Sequence, residues 1–118
     1  MPVPFKRADR VADSIRRELS HLLLRETKDP RLSDVTITEV RVSADLRHAW
    51  IGFTGRAGKT AEQLEGLQSA AGFLRGQLGR ALHLRYAPEL SFEVDESLER
   101  SLRVARLLKD VAGGGSHE

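Results

Sequence analysis

The chain has 118 residues, 40% of them apolar, which suits one compact domain with a core of its own. It contains no cysteine, so disulfides and thiolate metal sites are excluded, and its longest purely apolar run, Leu22-Leu23-Leu24, is far short of a membrane span. The net charge is only +2, yet 15 of the 19 basic residues are arginine and the charges are segregated. Residues 66–88 hold no acid, and Glu89, Glu93, Asp95, Glu96 and Glu99 then follow with no base among them.

Lys6 and Arg7 have no apolar stretch behind them, so the N-terminus does not read as a secretory signal and a cytoplasmic protein is expected. Ala8, Val11, Ile15, Leu19, Leu22 and Leu23 recur at helical spacing and predict a helix over Arg7 to Thr27. Arg10, Arg16, Arg17 and His21 fall largely off that stripe. Asp29-Pro30-Arg31 ends the helix, because proline disfavours helix in the residue before it. Asp29 and Arg31 read as an ion-pair turn, with RNA contact as the alternative.

Val35 to Ala44 and His48 to Thr54 predict two strands joined by Asp45-Leu46-Arg47 as an antiparallel hairpin. Val35 and Ile37 have one parity, Val40 and Val42 the other, which calls for a bulge near Thr38-Glu39. Gly55 to Lys59 is a basic loop, and Thr60 with Gln63 resembles a capping box that opens a second helical region. With no proline before Pro88, that region would be about 38 Å long as one straight helix. A domain of this size has an expected radius of gyration of about 13–14 Å. A bend is therefore expected, with Gly72, Gly76 and Gly79 as its possible places. Leu90, Phe92 and Val94 alternate with polar residues as a third strand. Ser97 caps a last helix through Leu98, Leu102, Ala105 and Leu108. The domain is expected to span residues 1–111, and residues 112–118, with three consecutive glycines, to form a flexible tail.

On a helical wheel, Leu64, Leu67, Ala71, Leu74, Leu78 and Leu82 form one stripe of the second helical region. Gly72, Arg75, Gly76, Gly79, Arg80 and His83 lie roughly opposite. A side-chain-poor, basic face lets a nucleic-acid backbone approach closely and be neutralised. The same pattern also fits solvated arginines with glycines that pack against another helix. The expected RNA-binding set is Gly72, Arg75, Arg80 and His83, extended by Arg10, Arg16 and Arg17 from the first helix and by Arg47, Arg56 and Lys59 from the hairpin and its following loop.

The element order, α-β-β-α-α-β-α, resembles a type II KH domain with an added helix. Where ordinary KH domains carry Gly-x-x-Gly between paired helices, this chain has Ala70-Ala71-Gly72 followed by Phe73-Leu74-Arg75. That resembles the Ala-x-Gly kink of the ribosome-binding factor A family. Arg10-Val11-Ala12, Asp29-Pro30-Arg31-Leu32, the run from Val40 to Ala49, the run from Leu84 to Phe92 and Asp95-Glu96-Ser97 agree with it in order and spacing. The resemblance covers about Arg7 to Val111. It implies one α+β domain with a three-stranded mixed sheet and helices on one face, kinked at Ala70, Ala71 and Gly72. It also implies a non-enzymatic ribosome assembly factor, without a cofactor, that binds the free small subunit and its ribosomal RNA. Such a factor supports late maturation and 5′-end processing of that RNA and growth in the cold. The departure from Gly-x-x-Gly argues against the usual four-nucleotide grip and toward recognition of RNA shape.

Other motifs carry less. Trp50 shares a strand face with His48 and Thr54, and either stacks on a base or packs at a sheet edge. His21, His48, His83 and His117 have no ligand spacing, so no metal site is expected. Gly55 to Thr60 ends like a P-loop, but Phe53 stands where the first glycine is needed. The acidic group Glu89 to Glu99 reads as a solvated face that repels RNA. No nucleophile elbow supports a hydrolase. The rival reading is a KH-like adaptor that binds mainly a ribosomal protein; a monomer is expected in either case.

Overall fold

The computed structural model describes residues 7–25 and 27–116. The first apolar stripe makes α1 (Arg7–Arg25), which buries Ala12, Ile15, Leu19, Leu22 and Leu23. Glu26, inside the expected helix, lies outside the described residues, and Thr27 is beyond the helix. Asp29 caps a short 3-10 turn, Pro30–Leu32, with Pro30 at its first position, where a missing N–H costs nothing.

The two strand patterns become β1 (Thr36–Val42) and β2 (His48–Thr54), antiparallel, with a register shift between Ile37 and Glu39. That is the bulge demanded by the parity change. Thr38, left out of the ladder, donates its hydroxyl to Asp95 Oδ2 at 2.6 Å. The third strand, β3 (Glu89–Val94), runs parallel to β2, so the mixed sheet has the order β1-β2-β3. A parallel pair needs a long crossover, and α2 (Thr60–Ala81) supplies it.

The core lies between one sheet face and two helices. Ala49, Ile51 and Phe53 of the central strand are fully buried with Ile15, Leu19, Leu67, Leu74 and Leu78. α1 packs on β1, α2 on β3, and the two helices touch. The opposite sheet face, with Trp50 at 38% exposure, is uncovered by helix. The last helix, α3 (Ser97–Ser116), projects away, and its side chains from 99 to 111 are all exposed.

The fold class is the expected one, an α+β domain of helices and a three-stranded mixed sheet. Two details differ. The region around Ala70, Ala71 and Gly72 is uninterrupted helix, so α2 is one element and not a pair separated there. Gly72 keeps an ordinary backbone, since Gly58 is the positive-φ glycine among the described residues. Length does not force a break, because the molecule is elongated, 64 × 46 × 19 Å with a radius of gyration of 17.9 Å. A 22-residue helix of about 33 Å fits without breaking. The capping box is also absent: Lys59 is the N-cap, and no side chain caps this helix. The buried Gln63 amide instead accepts from the Arg56 N–H at 3.2 Å. Finally, α3 continues past the expected tail boundary to Ser116, while residues 117–118 and 1–6 lie outside the described residues.

Candidate nucleic-acid interface

All ten residues expected to bind RNA are exposed. Their surroundings divide them. On α2, Arg75 donates from Nε to the Pro88 carbonyl at 3.0 Å and from Nη2 to the Ala87 carbonyl at 3.0 Å. A Cβ added at Gly79 would lie 3.4 Å from Ala87 Cβ. The glycine–arginine face therefore holds the segment before β3 along one edge, and part of its bareness serves packing. Gly72 is open, with nothing within 4 Å of an added Cβ, and a Cβ at Gly76 would meet the Arg80 guanidinium at 3.7 Å. Arg80 thus lies along the open side of the helix.

The helix ends beyond these residues in a Schellman motif. The Leu84 N–H bonds to the Gly79 carbonyl at 3.0 Å, and the His83 N–H approaches the Arg80 carbonyl at 3.4 Å. His83 occupies the left-handed position of that motif, φ 53°, where glycine is the usual residue. The chain thus leaves the helix here and not at Gly72, Gly76 or Gly79, where a bend is expected from sequence.

On α1, Asp13 pairs with both Arg16, at 3.2 Å, and Arg17, at 2.9 Å. These residues, with Arg10, Asp9 and Glu39, line a groove of about 580 Å³ between α1 and β1. Three acids face three arginines there, so the groove has little net charge. Its exposed pairs add little stability and are easily exchanged for phosphate.

The hairpin residues lie at opposite ends of the sheet. Arg47 precedes β2 while Arg56 and Lys59 follow it, and seven extended residues span about 23 Å. Arg56 pairs with Asp34 at 2.8 Å and Lys59 with Glu62 at 3.8 Å. At the other end, the Arg47 guanidinium sits 5.3 Å from the Tyr86 ring centroid, and that of Arg85 sits 5.4 Å from it. Arg85 and Tyr86 both lie in the run from Leu84 to Phe92 that carries the family resemblance, but neither is among the expected site residues. The available signal was the Arg85-Tyr86 pair itself.

The remaining expectations fall out locally. Arg31 and Asp29 form the ion-pair turn, Nη2 to Oδ2 at 2.7 Å, and hydrogen bonds from the Arg31 side chain and backbone hold the Asp29 carboxyl below its ordinary range. Trp50 sits on the open face, its ring 4.4 Å from that of His48 and 5.8 Å from the Arg41 guanidinium. Asp95 accepts from the Ser97 N–H at 2.9 Å and from Thr38, and hydrogen bonds from the Ser97 side chain, Thr38 and the Ser97 backbone pull its carboxyl down to about 2. It is a junction residue between β3 and α3 as well as part of an acidic face. Among the described residues, no three His, Asp or Glu side chains are grouped to hold a metal ion, and no helix is long and apolar enough to cross a membrane.

Known proteins resemble this chain in both sequence and fold. The family model described as ribosome-binding factor A matches residues 7–108. A ribosome-binding factor A of Syntrophobacter fumaroxidans is 49% identical over 111 residues, which cover 91% of this chain and 95% of the relative. The crystal structure of ribosome-binding factor A from Thermus thermophilus superposes with a TM-score of 0.66 at 25% identity, covering 74% of this chain and 94% of that one. A Thermus thermophilus ribosome binding factor A homology model, fitted into a cryo-EM map of its 30S complex, gives a TM-score of 0.60 at 27% identity, covering 72% of this chain and 91% of that one.

Proposed function

Because the chain belongs to the ribosome-binding factor A family, we propose that it is a non-enzymatic assembly factor that binds the free small ribosomal subunit. In this reading it contacts small-subunit ribosomal RNA, supports its late maturation including 5′-end processing, and serves growth in the cold. It acts in the cytoplasm as a monomer and needs no cofactor. The observation that carries the reading is the fitting of a relative of the same fold into a 30S complex. Gly72 and Arg80 on α2 and His83 just beyond its end supply a surface of suitable charge and access, with Arg10 beside the α1 groove and Arg47 at the hairpin. Arg16, Arg17, Arg56 and Lys59 contribute by trading a surface carboxylate for phosphate.

Gradient sedimentation with detection of the protein tests this. Recovery with free small subunits, and little with complete ribosomes, is the expected result. Preferential recovery with translating ribosomes counts against it. The adaptor reading draws on a different observation: α3 exposes Leu102, Val104, Leu107, Leu108 and Val111, apolar area of the kind that protein partners cover. Subunit binding that depends on α3 and ignores Arg80 would favour it.

A further inference from the structure

We propose that the hollow at the carboxyl end of α2 is a pocket for one unpaired nucleotide of an RNA strand, with Tyr86 as the stacking surface and Arg47, Arg85 and His83 as its polar contacts. The proposal rests on the RNA-binding reading and adds to it the form of RNA that is recognised. The hollow measures about 430 Å³ and lies where the start of α1, the β1–β2 turn and the end of α2 converge. That is within the range of about 300–1,000 Å³ typical of small-ligand sites. Arg7, Asp45, Leu46, His83, Arg85 and Tyr86 are among its walls.

Three independent features meet there. The first is aromatic: Tyr86 is 59% exposed, although burial of its ring would be favourable. Guanidiniums at 5.3 and 5.4 Å hold the ring in place. A base that takes a ring face displaces a guanidinium, which is then free to meet the attached phosphate.

The second is charge. Arg7, His83 and Arg85 line the hollow with one acid, Asp45, and Arg47 lies beside it at the Tyr86 ring. The Asp45 carboxylate is already engaged by the Ser43 hydroxyl at 2.6 Å and the Arg47 N–H at 3.1 Å. Among the described residues, neither Arg47 nor Arg85 has a carboxylate within ion-pair distance. The hollow thus presents uncompensated positive charge, which suits phosphate.

The third is backbone strain. The two non-glycine residues with left-handed backbone among those described, Leu46 at φ 63° and His83 at φ 53°, both line this hollow. Glycine would relax either position, and strain retained in this way concentrates at binding sites. At position 83 the retained residue brings an imidazole to the wall of the hollow, where glycine would bring none. A base held in a duplex stack does not reach the Tyr86 ring, so the nucleotide must be unpaired.

The test uses the full chain and two probes: a single-stranded RNA oligonucleotide carrying 2-aminopurine, and a blunt RNA duplex of equal length. Tyr86→Leu is expected to weaken single-strand binding about tenfold, to abolish 2-aminopurine quenching and to leave duplex binding within about twofold. His83→Gly is expected to raise the thermal midpoint while weakening single-strand binding. If Tyr86→Leu lowers the thermal midpoint, Arg85→Gln replaces it with the same expected selectivity. Equal losses on both probes, or wild-type affinity and quenching in the variants, overturn the pocket. Absence of single-strand binding by the wild-type chain overturns it too, even where subunit binding persists. Loss of the proposed function is read separately, as failure of the wild-type chain to sediment with small subunits.

Discussion

The Arg75 guanidinium donates to the Pro88 carbonyl at 3.0 Å and so ties the middle of α2 to the entrance of β3. Five helical residues further on, Arg80 has no such task. Two arginines that share a wheel face thus have different duties, and substitutions should separate them.

Arg75→Ala should destabilise the domain by about 1.5–3 kcal/mol, the range for hydrogen bonds made by a charged donor. Arg80→Glu should change stability by no more than about 0.5 kcal/mol. It should weaken binding to a small-subunit RNA fragment and lower the salt slope by about 0.7–0.9. Urea unfolding and a salt titration of affinity measure both. A folded Arg80→Glu protein with an unchanged slope removes this residue from the interface.

Gly72→Ala should stabilise the protein by about 0.8–1.0 kcal/mol, because glycine inside a helix is that much less favourable than alanine. Nothing lies within 4 Å of the added Cβ, and the backbone there is not left-handed. Chemical denaturation checks it. A destabilised variant would mean that position 72 departs from helix in solution.

Gly55→Ala should destabilise by about 1–3 kcal/mol, the usual cost of overpacking. Its Cβ would overlap the Gln63 side chain, which is buried and accepts from Arg56 N–H at 3.2 Å. Gly55→Ala combined with Gln63→Ala should recover part of the loss, since the overlapping amide is gone. A double-mutant cycle in urea reads the coupling, and strict additivity would refute it.

Asp95 links pH to stability. Hydrogen bonds from Ser97 and Thr38 lower its carboxyl from 3.8 to about 2 in the folded protein. Its contribution is therefore fully present above about pH 4 and is lost as pH falls toward about 2. Asp95→Asn should flatten the acid limb of a stability–pH profile in that window. Asp29 and Asp45, also lowered, keep some slope. An unchanged acid limb would show that these bonds do not persist in solution.

Much of the fold was legible because burial follows simple periods. Ala49, Ile51 and Phe53 alternate and prove fully buried, and the α1 stripe from Ile15 to Leu23 faces the sheet. The bulge was readable from the parity change between Ile37 and Val40. The candidate site was less legible. Arg47 and Arg56 look like neighbours in the chain, yet a strand of seven residues holds them apart.

The elements, their buried faces, the charge segregation and the family resemblance could all be read along the chain, since each depends on residue type and on spacing within one segment. Where the chain reverses, that α2 runs unbroken, and which arginines act as braces became visible only in three dimensions. These depend on contacts between segments distant in the chain. Arg75 is committed to a loop 13 residues away, and Arg47 meets Tyr86 only because β2 and β3 lie side by side. Local pattern carries no record of such meetings.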